Sequence, residues 1–275
     1  MDYIELTLSH FGDFNPEIAV AELAELGFES FSETDDIINA YIPADGYVAE
    51  AVTGYLEALS CDHGLQWSIN RVAERNWNEE WERSYEPVVI EGRCRVRAPF
   101  HEPSGEYPYE LVIEPRMSFG TAHHETTYLV IAMLLDTPVS GKQVLDMGCG
   151  TGLLALLAGR MGASRVVAID NDEWAVSNAA DNMERNGAPH ITVIRGEASD
   201  IPKPSFDVVL ANINRNILMA DMPAYAGATC PGGVLILSGF YEEDMPVIRQ
   251  SAEGCGFRYD SHSARNRWVA ARFRK

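Results

Sequence analysis

The sequence predicts a two-domain α/β protein. A small ferredoxin-like α+β domain is expected over residues 1–74, a linker helix over 75–86, and a doubly wound, seven-stranded α/β domain over 87–275. Three observations carry this expectation. Up to residue 74 the pattern runs strand, helix, strand, strand, helix, strand, which is the ferredoxin-like order. From Gln143 onward short apolar runs alternate with helical stretches, as in a mainly parallel sheet covered on both faces. Between them, "NWNEEWERSYEP" sets Trp77, Trp81 and Tyr85 four residues apart, on one face of a short helix.

Each element has a local reason. Tyr3 to Ser9 alternates as a strand, and Asn15-Pro16 opens an amphipathic helix with Ile18, Val20, Leu23 and Leu26 inward, stopped by Gly27. "FESFSE" and "IINAYIP" read as strands joined through Asp35-Asp36. Tyr47 to Leu59 reads as a helix with Val48, Val52, Tyr55, Leu56 and Leu59 on one side, and "LQWSINRVAE" closes the domain. The aromatic stripe of the linker packs onto a neighbouring domain or offers a surface to substrate. Beyond Pro87 come strands at "VVIEG", "CRVRAPF" and "YELVIEP", then a loop and a helix from Glu125 through Leu135, ended by Asp136-Thr137-Pro138. Strands follow at "QVLDM", "RVVAID", "ITVIRG", "FDVVLAN" and "VLILSG", and the tail reads as two antiparallel strands turning at Ala264-Arg265-Asn266.

Composition narrows the function. With 41 acidic against 21 basic side chains the formal charge is −20, which opposes direct nucleic-acid binding and favours a basic partner. Five cysteines, Cys61, Cys94, Cys149, Cys230 and Cys255, form no C-x-x-C pair and suggest neither disulfides nor zinc. The start lacks a basic and then apolar leader, and no run approaches the roughly 18 apolar residues of a membrane span. A cytoplasmic protein is expected, and nothing demands more than a monomer.

The most informative stretch is "VLDMGCGTGLLAL": an apolar strand, Asp146, then Gly148, Gly150 and Gly152 before a helix. Glycines there let the chain turn tightly and let a ligand approach the backbone. A dinucleotide fingerprint would place its third glycine where Leu153 stands, and Asp146 is a poor neighbour for a pyrophosphate. A cationic or zwitterionic ligand suits it better. Eighteen residues past Gly152, strand "VVAID" ends in Asp170, whose carboxylate can accept from both hydroxyls of a ribose. S-adenosylmethionine (AdoMet) unites ribose, adenine, an amino-acid zwitterion and a sulfonium, and fits these residues better than a nicotinamide cofactor. Glu197 either approaches the adenine or is a solvated loop carboxylate.

Strand "FDVVLAN" runs out into Asn212 on the edge where open α/β sheets bind ligands. Asn212 either orients an acceptor amine or caps the next helix. The continuation Ile213-Asn214-Arg215 lacks the two prolines and aromatic that base- and glutamine-modifying enzymes place there. The loop "EPRMSFGTAHHETT" first invites a metal reading through His123 and His124. Adjacent residues project differently, however, and only Glu125 lies at ligand spacing. Its end, Thr126-Thr127, offers helix N-terminal donors to a carboxylate, so the loop is expected to cover the cofactor.

Taken together, "FGTAHHETT", "VLDMGCGTG", "AID" and "LANI" resemble PrmA, the ribosomal protein L-eleven methyltransferase family, over almost the whole chain. The resemblance implies a class I AdoMet-dependent methyltransferase domain and a small domain that recognises substrate. It implies methylation of lysine side-chain and N-terminal amino groups of a basic ribosomal protein. The AdoMet-contacting positions it implies are Thr127, Gly148, Asp170 and Asn212, with Asn212 also the catalytic candidate. Gly148, Gly150, Asp170 and Asn212 stand out from the residues themselves as well; Thr127 comes from the resemblance alone. Where the family's loop usually reads F-G-T-G-x-H-x-T-T, this chain has Ala122, strained if that position needs a positive φ. The competing readings are methylation of another protein, RNA or a small molecule, and a non-catalytic AdoMet-binding adaptor.

Overall fold

The computed structural model describes residues 2–12, 14–34, 36–72, 85–115, 120–203 and 205–275. The chain divides into two compact units, Met1–Ser84 and Tyr85–Lys275. The expected linker helix, with Trp77 and Trp81, falls largely on 73–84, outside the described residues.

In the first unit β1 (Tyr3–Ser9), α1 (Pro16–Glu25), β2 (Ser30–Thr34), β3 (Ile37–Pro43), α2 (Ala49–His63) and β4 (Gln66–Val72) follow in order. The strands make one antiparallel sheet in the order β2-β3-β1-β4. Period-two alternation sends Ile4, Leu6 and Leu8 of β1 and Ile38, Ala40 and Ile42 of β3 to one face, against Ala19, Leu23, Val52 and Leu56. Two expected inward residues point elsewhere. Ile18 is 46% exposed because the buried stripe of α1 centres on Ala19 and Leu23, and one residue along a helix turns the side chain by about 100°. Val48 is exposed because it is the N-cap of α2 and precedes the stripe that begins at Val52.

The second unit opens with a three-stranded sheet of its own, β5 (Val88–Ile90), β6 (Cys94–Arg97) and β7 (Tyr109–Val112), in which β6 and β7 run parallel. Then comes α3 (Glu125–Leu135), at the expected bounds. It is followed by β8 (Gln143–Met147), α4 (Leu153–Arg160), β9 (Arg165–Asp170), α5 (Glu173–Arg185) and β10 (Thr192–Arg195). The remainder is β11 (Phe206–Asn212), α6 (Arg215–Ala228), β12 (Thr229–Tyr241), α7 (Met245–Gly254), β13 (Arg258–Arg265) and β14 (Trp268–Arg274). Strands β8 to β14 form one seven-stranded sheet in the order β10-β9-β8-β11-β12-β14-β13, antiparallel only around β14. Alternate residues of the same strand enter two separate cores: Val144, Val166 and Val208 join one, Leu145, Val167 and Val209 the other. Helices therefore cover both faces, which is why these strands read as unbroken apolar runs. The tail turns at Asn266-Arg267, a step later than expected, with φ of 49° and 68° as a two-residue hairpin turn requires.

Candidate functional site

Strand order reverses between β8 and β11, so their carboxyl ends and that of β9 leave a crevice. Met147, Asp170 and Asn212 close those three strands. Two adjoining cavities of about 410 and 440 Å3 occupy this edge and share Gly148, Asp170, Asn171, Ile213 and Ile217.

The floor is the glycine turn. Gly148 and Gly150 sit at φ of 66° and 53°, and a Cβ on Gly148 would collide with Ile213 Cγ2. Ile213 is wedged between two glycines, because a Cβ on Gly239 would strike the Ile213 backbone. The turn is tied to β9: Gly148 N and Cys149 N donate to Ile169 O at 2.8 and 3.1 Å, and Gly150 N donates to Asp170 Oδ2 at 2.9 Å. Asp172 N donates to the other Asp170 oxygen at 3.0 Å. Each oxygen thus spends one lone pair on the backbone and keeps another for a ligand hydroxyl.

Asp146 has a different place from the one its sequence position suggests. It is fully buried and lines neither cavity; its Oδ2 accepts from Ala155 N at 3.1 Å, capping the first turn of α4, and its Oδ1 has no partner among the described residues. Burial, opposed by the Ala155 hydrogen bond and reinforced by the charge of Asp170, pushes its carboxyl up to about 7. The neighbouring Cys149 thiol is held well above its usual range by burial and then by Asp146 and Asp170.

Asn212 and Thr127 meet. Asn212 Nδ2 donates to Thr127 Oγ1 at 3.3 Å, and the buried Asn212 Oδ1 has no partner among the described residues. Capping of α6, the other reading of Asn212, belongs to Asn214, whose Oδ1 accepts from Ile217 N at 3.1 Å. Thr127 is buried and is not among the cavity-lining residues; Thr126, Asn212 and His124 line the second cavity. His124 is the N-cap of α3, with Nδ1 accepting from Thr126 N. His123 reaches the opposite way, Nε2 lying 3.0 Å from Glu86 O. Among the described residues no group of three His, Cys, Asp or Glu could hold a metal. Residues 116–119 of the loop lie outside the described residues, and Ala122 has φ of 70°, so this alanine does occupy the left-handed region.

Residues that the sequence did not single out complete the walls. Trp268 lines the second cavity and packs on His124 at 4.8 Å and on Tyr241 at 4.0 Å between ring centroids. Asn266, at the turn before it, donates to Glu125 Oε1 at 2.8 Å and holds the start of α3. A sequence motif could not link these to Asn212, because the hairpin is brought over only by insertion of β14 beside β12. Glu197 does line the first cavity, where its side chain also accepts from the backbone of a 3-10 turn, Ala198–Asp200. Asp170, Asp172, Glu197 and Asp221 contribute carboxylates to the two cavities, while among the described residues no Lys or Arg lines either. The crevice therefore favours a cation over a pyrophosphate.

A family model described as Ribosomal protein L11 methyltransferase (PrmA) matches residues 15–275. The chain belongs to this family. It is 46% identical over 273 residues to a ribosomal protein L11 methyltransferase of Porphyromonas gingivalis, covering 98% of this chain and 92% of the relative. It is 43% identical over 278 residues to one of Phocaeicola vulgatus, covering 99% of both chains. Among solved structures, ribosomal protein L11 methylase from Lactobacillus delbrueckii subsp. bulgaricus superposes with a TM-score of 0.65 at 25% identity, covering 70% of this chain and 100% of that one. The PrmA match spans every residue that lines the two cavities, from His124 to Trp268.

Proposed function

We propose that this chain transfers methyl groups from AdoMet to amino groups of ribosomal protein L11, at lysine side chains and the N-terminal amine. The observation that carries the reading is the crevice itself: a carboxylate with free lone pairs at Asp170, a glycine floor, and the buried, unpartnered Asn212 Oδ1, in a chain of the PrmA family. These residues fit AdoMet. Asp170 would accept from the ribose hydroxyls, and the backbone at Gly148 and Gly150 would approach the amino-acid end without a Cβ in the way. Thr127 would act through Asn212, fixing its amide by the hydrogen bond between them.

When bound, AdoMet supplies an electrophilic methyl on a good leaving group, so positioning carries most of the rate. This chain's task is to present a neutral amine in line. A lysine amine has an ordinary pKa of about 10.4; burial and a neighbouring sulfonium would favour its uncharged form, against the pull of the crevice carboxylates. Asn212 Oδ1 would accept a hydrogen bond from that amine and aim its lone pair, beside the apolar surface that Trp268 and Ile217 give the same cavity. The first unit's βαββαβ order and β2-β3-β1-β4 sheet support a ferredoxin-like domain that recognises the substrate. The −20 charge suits a basic protein met free in the cytoplasm by a monomeric enzyme, without direct contact to RNA. No helix among the described residues is long and apolar enough to cross a membrane.

The test is intact mass spectrometry of free L11 incubated with the protein and AdoMet. Additions of one methyl mass or multiples of it, mapped to amines, are expected. An unshifted L11 together with methylation of RNA or of another ribosomal protein refutes the substrate assignment.

A further inference from the structure

Three buried asparagines stand at four-residue intervals on α5 and its C-cap: Asn178, Asn182 and Asn186, at 1%, 0% and 6% exposure. Asparagine is neither a strong helix former nor a residue that is easily buried. Asn178 Oδ1 accepts from Asn182 Nδ2 at 3.4 Å, within the helix, and the other two reach beyond it. Asn186 Oδ1 accepts from Val112 N at 2.9 Å, and its Nδ2 donates to Val112 O at 2.6 Å. One turn earlier Asn182 Oδ1 accepts from Glu114 N at 3.0 Å, while its Nδ2 donates to Thr151 O at 3.0 Å. β7 is an edge strand: the Asn186 amide pairs with Val112, its last residue, as a neighbouring strand would, and the Asn182 amide takes Glu114, two residues beyond it. The spacings agree: four helical residues rise about 6 Å and two extended residues about 6.8 Å.

Asn182 differs from Asn186 in one respect. Its donor reaches the glycine turn, and the fully buried Thr151 continues the path, donating from Oγ1 to Gly120 O at 2.7 Å. The backbone at Glu114 and at Gly120 is thereby joined to the turn that carries Gly148 and Gly150. Those glycines form one wall of the second cavity, and His124 and Thr126, a few residues after Gly120, form another.

We propose that Asn182 is a positioning residue for the cofactor cavity, acting through Thr151 to hold the glycine turn in register with the segment that leads from Gly120 into α3. The proposal rests on the reading of AdoMet as donor.

The experiment pairs AdoMet affinity by calorimetry with amide hydrogen exchange of the full, cofactor-free chain. Thr151→Val keeps the shape of the side chain and removes its donor; Asn182→Leu keeps the volume and removes the amide. Both are expected to weaken AdoMet by about tenfold or more, the effect of one or two buried hydrogen bonds. Both also speed exchange over residues 148–152 and 120–124. Thr151→Ser restores the affinity, and Asn186→Leu lowers thermal stability while leaving AdoMet affinity within about twofold. If Asn182→Leu does not fold, the Thr151 pair carries the test. Wild-type affinity and exchange in Thr151→Val, or an equal loss in Asn186→Leu, overturns the proposal. A wild-type chain that binds no AdoMet refutes the donor assignment instead, and the exchange data still decide whether the path couples the two segments.

Discussion

Replacing Asp146 by Asn isolates the energetic burden of a fully buried carboxyl beneath the glycine turn. Burial raises its pKa from an ordinary 3.8 to about 7. A folded-state pKa above the unfolded one means that the native protein binds the proton more tightly. Between about pH 4 and pH 7 the unfolded chain releases this proton while the native chain retains it, so stability falls as pH rises. Above about 7 the native carboxyl ionises too and the loss levels off. A shift of that size, at about 1.36 kcal/mol per unit, amounts to roughly 4 kcal/mol. An amide oxygen can still accept from Ala155 N, so Asp146→Asn keeps the cap on α4 and removes the titration. Its new N–H group, placed where Oδ1 has no partner, adds a pH-independent cost of about 1–3 kcal/mol. The slope is therefore the quantity to measure. Urea unfolding of cofactor-free protein from pH 4.5 to 8.5 should show the stability of Asp146→Asn gaining steadily on wild type up to about pH 7, then running parallel to it. Curves parallel throughout would mean that Asp146 is not held protonated and that its burial has been misjudged.

Three further outcomes follow from the site. Asn212→Ala removes the unpartnered Oδ1 and the donor to Thr127; kcat is expected to fall by about a hundredfold with folding intact, as misplacement of a reacting group does, and unchanged turnover removes Asn212 from the chemistry. Asp170→Asn offers one acceptor where Gly150 N and Asp172 N require two; AdoMet binding by calorimetry should weaken by about tenfold or more. Ala122→Gly relieves a buried alanine at φ of 70°. The relief of about 1–2 kcal/mol offsets roughly 0.8 kcal/mol for the buried methyl and about 0.4–1 kcal/mol for glycine's greater freedom in the unfolded chain, so a nearly unchanged unfolding temperature is expected, and a marked fall shows that Ala122 is not strained.

What the sequence could show depended on whether the signal was local. The bounds of α3 and the ends of β8, β9 and β11 follow from runs of neighbouring residues, and so the sequence places Gly148, Gly150, Asp170 and Asn212 at strand ends that line the second cavity. Ile18 and Val48 were misplaced because a helix stripe is decided by which turn meets the sheet, and apolar character alone does not fix that phase. The place of Asp146 differs from its sequence reading for a related reason. A carboxylate two residues before a glycine turn looks like a ligand neighbour in one dimension. In three, the strand's alternation turns it under the turn, toward the N-terminus of α4.

The asparagines of α5 show the same limit from the other side. In the sequence they are polar residues at spacing four on a helix, which reads as a solvated stripe. Only the topology reveals that β7 ends its sheet and that α5 lies alongside, so that side-chain amides supply the hydrogen bonds a further strand would have given. A real strand there would satisfy β7 and nothing else. An amide has a donor and an acceptor that can be sent to different segments, and Asn182 sends one to Glu114 and the other to Thr151. The fold thereby gains a connection between the chain just beyond its small sheet and its glycine turn that continuous strand pairing could not make. The same buried polar contacts hold the cavity's walls together, which is why removing them should be felt in cofactor affinity before it is felt in secondary structure.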